Sequence, residues 1–357
     1  MNLSQALNSI KPPCQKSMEE THRQLDRILK PLDSLGQLES HLIKISGMTG
    51  SSYFDFSKKA VVVFCADNGV VEQGISQTGK EVTALVAKNL TLGQACVCHM
   101  ARVAGADVIP VDIGIDSDQN IPGVLNRRIA KGTKDFTRQP AMTRQEATAA
   151  LEAGIELAVE LKEKGYRLLA TGEMGIGNTT TSSALAAVLL GLPIRQVTGR
   201  GAGLSDEGLA RKMKVIEQGI ALHSPDPEDP LGLLSALGGF DIAGMAGLCI
   251  GCAVIGLPVV LDGLISCVSA LLAVKLNPLI RHYLLPSHLS AEPAGAMLLE
   301  RLELRPLLSA GMKVGEGTGA VATFPLYDMI CSIYCNMPRF DDTTITPYQR
   351  YPALAEH

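Results

Sequence analysis

The sequence predicts an α/β fold: a mostly parallel sheet flanked by helices, with a small helical domain contributed by the chain termini. Three observations predict it. Short apolar runs rich in Val and Ile, 60–69 (AVVVFCADNG), 107–114 (DVIPVDIG), 167–178 (RLLATGEMGIGN) and 257–263 (LPVVLDG), each end in a loop bearing Gly or Asp. Segments with 3.6-residue apolar spacing, 81–102, 143–164, 205–223 and 291–304, have the length and pattern of helices. Strands alternating with helices imply βαβ units and a sheet covered on both faces. Finally, 17–45 reads as charged amphipathic helix interrupted at 31–36, before any strand, and the last helix-like segment is 325–337. These boundaries give a small helical domain from 1–50 and 325–357 and a large domain over 51–324.

Composition removes several function classes. Thirty-two Lys and Arg against 36 Asp and Glu leave a net charge of −4, and only 4% of residues are aromatic, so a nucleic-acid partner is not expected. The nine cysteines are odd in number and lie mostly in apolar stretches, as thiols of a reduced, cytoplasmic protein do. Cys249 and Cys252 have the spacing of half a zinc site, but no second pair accompanies them, and they read as core residues. The first twenty residues lack the charged and apolar regions of a secretory signal. The uncharged stretch 243–261 is broken by Pro258 and four glycines, which favours a buried helix and strand over a membrane span. No metal-ligand cluster, dinucleotide fingerprint or nucleophile elbow is visible, so neither a metal nor a cofactor is expected.

The chemistry-bearing residues sit in loops after the strands, where open α/β sheets bind ligands. In 171–184 (TGEMGIGNTTTSSA), Gly172, Gly175 and Gly177 bring backbone amides toward a ligand, and Asn178 and Thr179–Thr181 open a helix. That is a phosphate cradle, or else a capped helix after a tight turn. The loop 198–208 leads to Arg211 and Lys212, which read either as charge for an acidic ligand or as exposed helix charge. Asp67, Asp262, Ser287, His288 and Ser290 also fall at strand ends, where Asp and Ser are ordinary turn residues and His288 reads as a satisfied structural group. In 313–320 (KVGEGTGA), Glu316 stands among three glycines, either as a solvated loop residue or as a carboxylate brought to a ligand.

Taken in order, these segments resemble one family over nearly the whole chain: nicotinate-nucleotide:dimethylbenzimidazole phosphoribosyltransferase. The resemblance rests on 30–39 (KPLDSLGQLE), 66–74 (ADNGVVEQG), 111–116 (VDIGID), 121–133 (IPGVLNRRIAKGT), 172–180 (GEMGIGNTT), 238–245 (GGFDIAGM), 259–263 (VVLDG), 286–292 (PSHLSAE) and 314–320 (VGEGTGA). It implies a Rossmann-like large domain that is catalytic, and a dimer. It also implies transfer of the phosphoribosyl group of nicotinate mononucleotide to 5,6-dimethylbenzimidazole or a related lower-ligand base of cobalamin, a phenol included, releasing nicotinate. By the same resemblance Glu316 is the general base, and Glu173 is a second carboxylate beside an oxocarbenium-like transition state. Gly175, Gly177, Asn178, Thr179, Lys212, Ser290, Gly315 and Gly317 match phosphate and ribose positions, and Thr78, Val86 and Met174 match the base pocket.

The sequence departs from the family pattern at Asn68, where relatives carry His, at Asp33, where they carry Gly, and through 74–87. Those changes bear on the incoming base, and Val86 there predicts an apolar edge. The alternative to an active enzyme is a non-catalytic or regulatory subunit paired with an active paralogue, so the dimer reads as a homodimer or a heterodimer.

Overall fold

A computed structural model describes residues 1–350; the last seven positions of the expected terminal unit, 351–357, lie outside the described residues. Six parallel strands form one sheet: β1 (Lys59–Ala66), β2 (Asp107–Gly114), β3 (Leu125–Asn126), β4 (Leu168–Met174), β5 (Val259–Leu261) and β6 (Leu284–Pro286). Their order across the sheet is β3-β2-β1-β4-β5-β6, the Rossmann order, with every pairing parallel. All eight residues of β1 are buried, because a central parallel strand is covered on both faces. The four runs read as strands from the sequence are β1, β2, β4 and β5. The edge strands β3, of two residues, and β6, of three, escape that reading, and β6 ends on Pro286 as an edge strand permits.

Among the described residues, fourteen α-helices surround the sheet. The first three are α1 (Leu3–Ser9), α2 (Gln15–Arg27) and α3 (Gln37–Thr49). Between strands run α4 (Glu81–Thr91), α5 (Cys96–Ala104), α6 (Arg144–Glu163), α7 (Asn178–Leu190), α8 (Ile194–Val197), α9 (Asp206–His223), α10 (Pro230–Leu237), α11 (Phe240–Ile255) and α12 (Leu264–Leu276). Two more, α13 (Gly295–Arg301) and α14 (Thr318–Asn336), follow β6.

The segment 81–102, read as one helix, is two, because Gly93 at φ +71° breaks it between Leu92 and Ala95. Helix α13 is shorter than the 291–304 expected. Helix α14 starts seven residues before the predicted Pro325 and runs through that proline. The apolar stretch at 243–261 is α11 followed by β5, and Cys249 and Cys252 are buried within α11. Among the described residues no helix is long and apolar enough to cross a membrane.

The two chain ends meet. Helix α2 packs on α3 and α3 on α14, and Leu29 N–H donates to the Pro338 carbonyl at 2.9 Å. The Tyr327 hydroxyl of α14 lies 3.0 Å from His41 Nδ1. The motif at 30–39 is structural: Lys30 Nζ donates to both oxygens of Glu39 at 2.9 Å, and Leu35 N–H donates to the same carboxylate. Asp33, the departure in that motif, has φ +54°, a conformation that suits glycine, and pairs with Arg350 at 2.7 Å. Both Lys30 and Glu39 are buried, so Glu39→Ala strands a buried ammonium. Chemical denaturation should show a loss of ~3–5 kcal/mol, and a loss under ~1 kcal/mol would mean that water reaches Lys30 freely.

Candidate active site

A parallel sheet directs every strand's carboxyl end to one edge, and the helices that follow begin at that edge. Here the ends of β4, β5 and β6 and the start of α14 enclose one cleft. Of the residues predicted from sequence, Glu173, Met174, Gly175, Gly177, Asn178, Thr179, Ser290, Gly315 and Glu316 line it. Asp262 and His288, noted as strand-end residues, line it too. Gly317 is the N-cap of α14, immediately behind the lining.

Two helices start at the cleft, and both start the same way. Gly177, at φ +93°, precedes α7, and Gly317, at φ +85°, precedes α14. Neither glycine has a side chain to cap its helix, so a side-chain cap has to come from elsewhere in the chain. For α14 the partner is Asp262, at the end of β5. Its Oδ1 accepts from Gly319 N–H at 2.7 Å and Ala320 N–H at 3.1 Å, and its Oδ2 accepts from Gly317 N–H at 3.3 Å. Burial nevertheless raises the Asp262 carboxyl above its usual range, with neighbouring His288 and these amides pulling the other way.

Glu316 itself has φ +60° and is flanked by Gly315 at +84° and Gly317 at +85°. The residue is half-buried, and its Oε2 accepts from Val97 N–H of α5 at 3.1 Å. Glu173 is the more enclosed carboxylate. Burial pushes it up to about 8, with the charge of Asp241 as the next cause. Asn178 Nδ2 donates to Glu173 Oε2 and, at 2.9 Å, to Asp241 Oδ2, so one amide bridges two buried acids. Burial pushes Asp241 up as well, to about 6. A Cβ added to Gly315 would collide with Glu173 Oε1, which is why the two carboxylate loops can approach each other.

Lys212 is not an exposed helix charge. It is 1% exposed, and its Nζ donates to Thr179 Oγ1 at 2.9 Å and the Gly199 carbonyl at 3.1 Å, beneath the start of α7. Burial pulls it down to about 8. Arg211 instead donates to the Gly74 carbonyl at 3.0 Å and ties the 69–80 loop to α9. His288 is buried in the cleft lining, with Nδ1 3.1 Å from Ser287 Oγ.

Thr78 and Val86 are not brought to the cleft. Thr78 is exposed and Val86 is half-buried on α4, while Ile75, Ser76 and Gln77 of the same loop line the cleft. Asn68 is buried at the end of β1, where its Oδ1 accepts from Thr181 Oγ1 at 3.3 Å. Sequence reasoning singled out neither Asp241 nor Val97. An Asp in a helix's first turn is ordinary, and a backbone amide has no sequence signal.

The family model described as "Phosphoribosyltransferase" matches residues 10–345. A protein of Acetivibrio thermocellus called nicotinate-nucleotide--dimethylbenzimidazole phosphoribosyltransferase is 46% identical over 97% of this chain and 99% of its own length. The protein of that name from Clostridium acetobutylicum is 44% identical over 98% of this chain and 99% of its own. The chain belongs to this phosphoribosyltransferase family. Within the family, the crystal structure of CobT from Thermus thermophilus superposes with a TM-score of 0.87 at 38% identity, covering 93% of this chain and 99% of that one. The fold expected from the family resemblance is therefore the observed one.

The buried acids set a pH signature for the family fold in this chain. Glu173 titrates near 8 in the folded state against 4.5 when solvated, and Asp241 near 6 against 3.8. Between those values these two sites hold more protons in the folded protein than in the unfolded chain, so their contribution to stability is full at low pH and is lost as pH rises, opposed below about pH 6.5 by His41, which burial lowers to about 4. Melting temperature should fall between roughly pH 6.5 and 8, and Glu173→Gln should flatten that slope. An unchanged slope in the variant would show that Glu173 titrates normally.

Proposed function

We propose that the chain transfers the phosphoribosyl group of nicotinate mononucleotide to 5,6-dimethylbenzimidazole or a related lower-ligand base, giving the α-ribotide and nicotinate. The observation that carries this reading is the meeting of Glu173 and Glu316 in one cleft at the starts of α7 and α14, with Lys212 behind. Relatives that carry the enzyme's name over nearly their full length support it.

Helix starts and one buried ammonium suit a phosphate dianion, and a dianion beside Lys212 restores the positive charge that burial disfavours. The leaving group is a pyridinium, which departs as neutral nicotinate nitrogen and needs no acid. The incoming base loses its N–H proton as its other nitrogen attacks C1′, and Glu316 accepts that proton. Glu316 is anchored but not enclosed, so one oxygen is held by Val97 while the carboxylate still faces the cleft. Glu173, whose carboxyl burial raises to about 8, stabilises the oxocarbenium charge in its anionic form, which a cationic ribosyl group beside it favours. Attack from the face opposite nicotinate accounts for inversion from β to α.

Ile75, Met174, Leu264, Ile265 and Val314 give the cleft apolar walls. The Gln77 side chain is committed to the Gly203 carbonyl. Such surface suits a benzimidazole, or a phenol whose O–H Glu316 deprotonates equally well. A purine nitrogen left there without a partner costs ~1–3 kcal/mol.

Purified protein given nicotinate mononucleotide and 5,6-dimethylbenzimidazole should release nicotinate; silence from a folded sample would favour the non-catalytic reading. Glu316→Gln should lower kcat by ~10²–10⁴ with little change in nucleotide binding, and near-normal turnover would remove it from the base role. Lys212→Ala should raise the nucleotide KM, since a phosphate partner acts in ground and transition states alike; an unchanged KM would exclude that contact. With acceptors in equal concentration, benzimidazole or phenol ribotides should dominate, and an adenine ribotide as main product would overturn the apolar-edge reading.

A further inference from the structure

Three consecutive residues, Gly315, Glu316 and Gly317, have φ of +84°, +60° and +85°. Two are glycines, for which this costs little, but a non-glycine residue in the left-handed region costs ~1–2 kcal/mol and returns to extended or helical backbone unless its surroundings hold it. The surroundings are specific. On one side lies β4, where Gly172 lacks a Cβ that would sit 2.7 Å from the Glu316 carbonyl oxygen and 3.1 Å from Gly317 N. On the other lies Asp262, whose two oxygens take the amides of Gly317, Gly319 and Ala320. Thr318 closes the turn internally, its N–H and Oγ1 donating to the Gly315 carbonyl at 3.0 and 2.9 Å.

We propose that Asp262 is the positioning residue for Glu316: by capping α14 from the end of a neighbouring strand, it holds the left-handed turn that aims the Glu316 carboxylate into the cleft. The inference rests on Glu316 being the general base. A cap supplied by the chain itself, at position 317, would need a side chain on a residue whose φ of +85° favours glycine. The cap therefore comes from β5, and the strand's last turn sets the height of the loop over the sheet. Because Asp262 also lines the cleft, a direct contact with nucleotide is the competing role, and it predicts a different kinetic signature.

Asp262→Asn keeps the size but turns one oxygen into a donor that faces backbone N–H groups. The expected result is a kcat lowered by ~10²-fold, the scale of an ångström-level misplacement of a catalytic group, with nucleotide KM nearly unchanged. In a Glu316→Gln background the same substitution should change kcat by no more than ~2-fold, because there is no base left to misplace. Losses that multiply in the double variant would overturn the proposal, as would a raised KM with normal kcat or an unaffected kcat in the single variant. If Glu316→Gln alone is near normal, the base assignment fails instead, and the two failures are told apart. Should the Asn variant not fold, Asp262→Ser, which keeps one acceptor, is read in the same cycle.

Discussion

A carboxylate removed from water has to be met by hydrogen-bond donors, and at the edge that carries the cleft the contact between Asp262 and the first amides of α14 meets that demand. It solves two problems at once. The helix start has unpaired N–H groups and the partial positive charge of its dipole, and the strand end has a buried acid; each is the other's complement. Once they are joined, the loop between Lys313 and Gly317 has its exit fixed, and Glu316 follows. Its own carboxylate repeats the device on α5 through Val97. The carboxylates of this edge are thus arranged by helix starts, and the sheet's parallel topology supplies those starts in one place.

Glu173 shows the other outcome. Its side-chain partner is the Asn178 amide, shared with a second buried acid, and burial prevails, so its carboxyl sits near neutrality in its ionisation. Two carboxylates that look alike in sequence, each next to a glycine, therefore differ in environment: one half-buried and held by a backbone amide, the other enclosed and facing Asp241. The separate roles proposed for Glu316 and Glu173 rest on that difference.

Much of this was legible in the sequence where the signal is local. Apolar runs and helical periodicity mark four of the strands and helices such as α6, whose capping residue Thr143 is visible as a residue type. Glycine-framed segments mark Glu173, Asn178 and Glu316. What stayed hidden has a common cause. The edge strands β3 and β6 pair on one side only and left no run in the sequence, and α14 extends through Pro325 with its first turns buried and capped from outside. Thr78 and Val86 were placed by resemblance through a loop whose course Arg211 and Gln77 decide, through contacts with Gly74 and Gly203.

The class of fold, the identity of the loops and the chemical types they carry can be read from the chain alone, because patterning, glycine placement and motif order depend only on neighbours along it. Which oxygen meets which amide is settled in three dimensions: Lys212 lies buried under Thr179 rather than in solvent, Asn178 joins Glu173 to Asp241, and Asp262 caps a helix beginning 56 residues later. Those pairings join residues far apart in sequence. Their energies come from burial and from the orientation of backbone amides, and neither exists before the chain has folded.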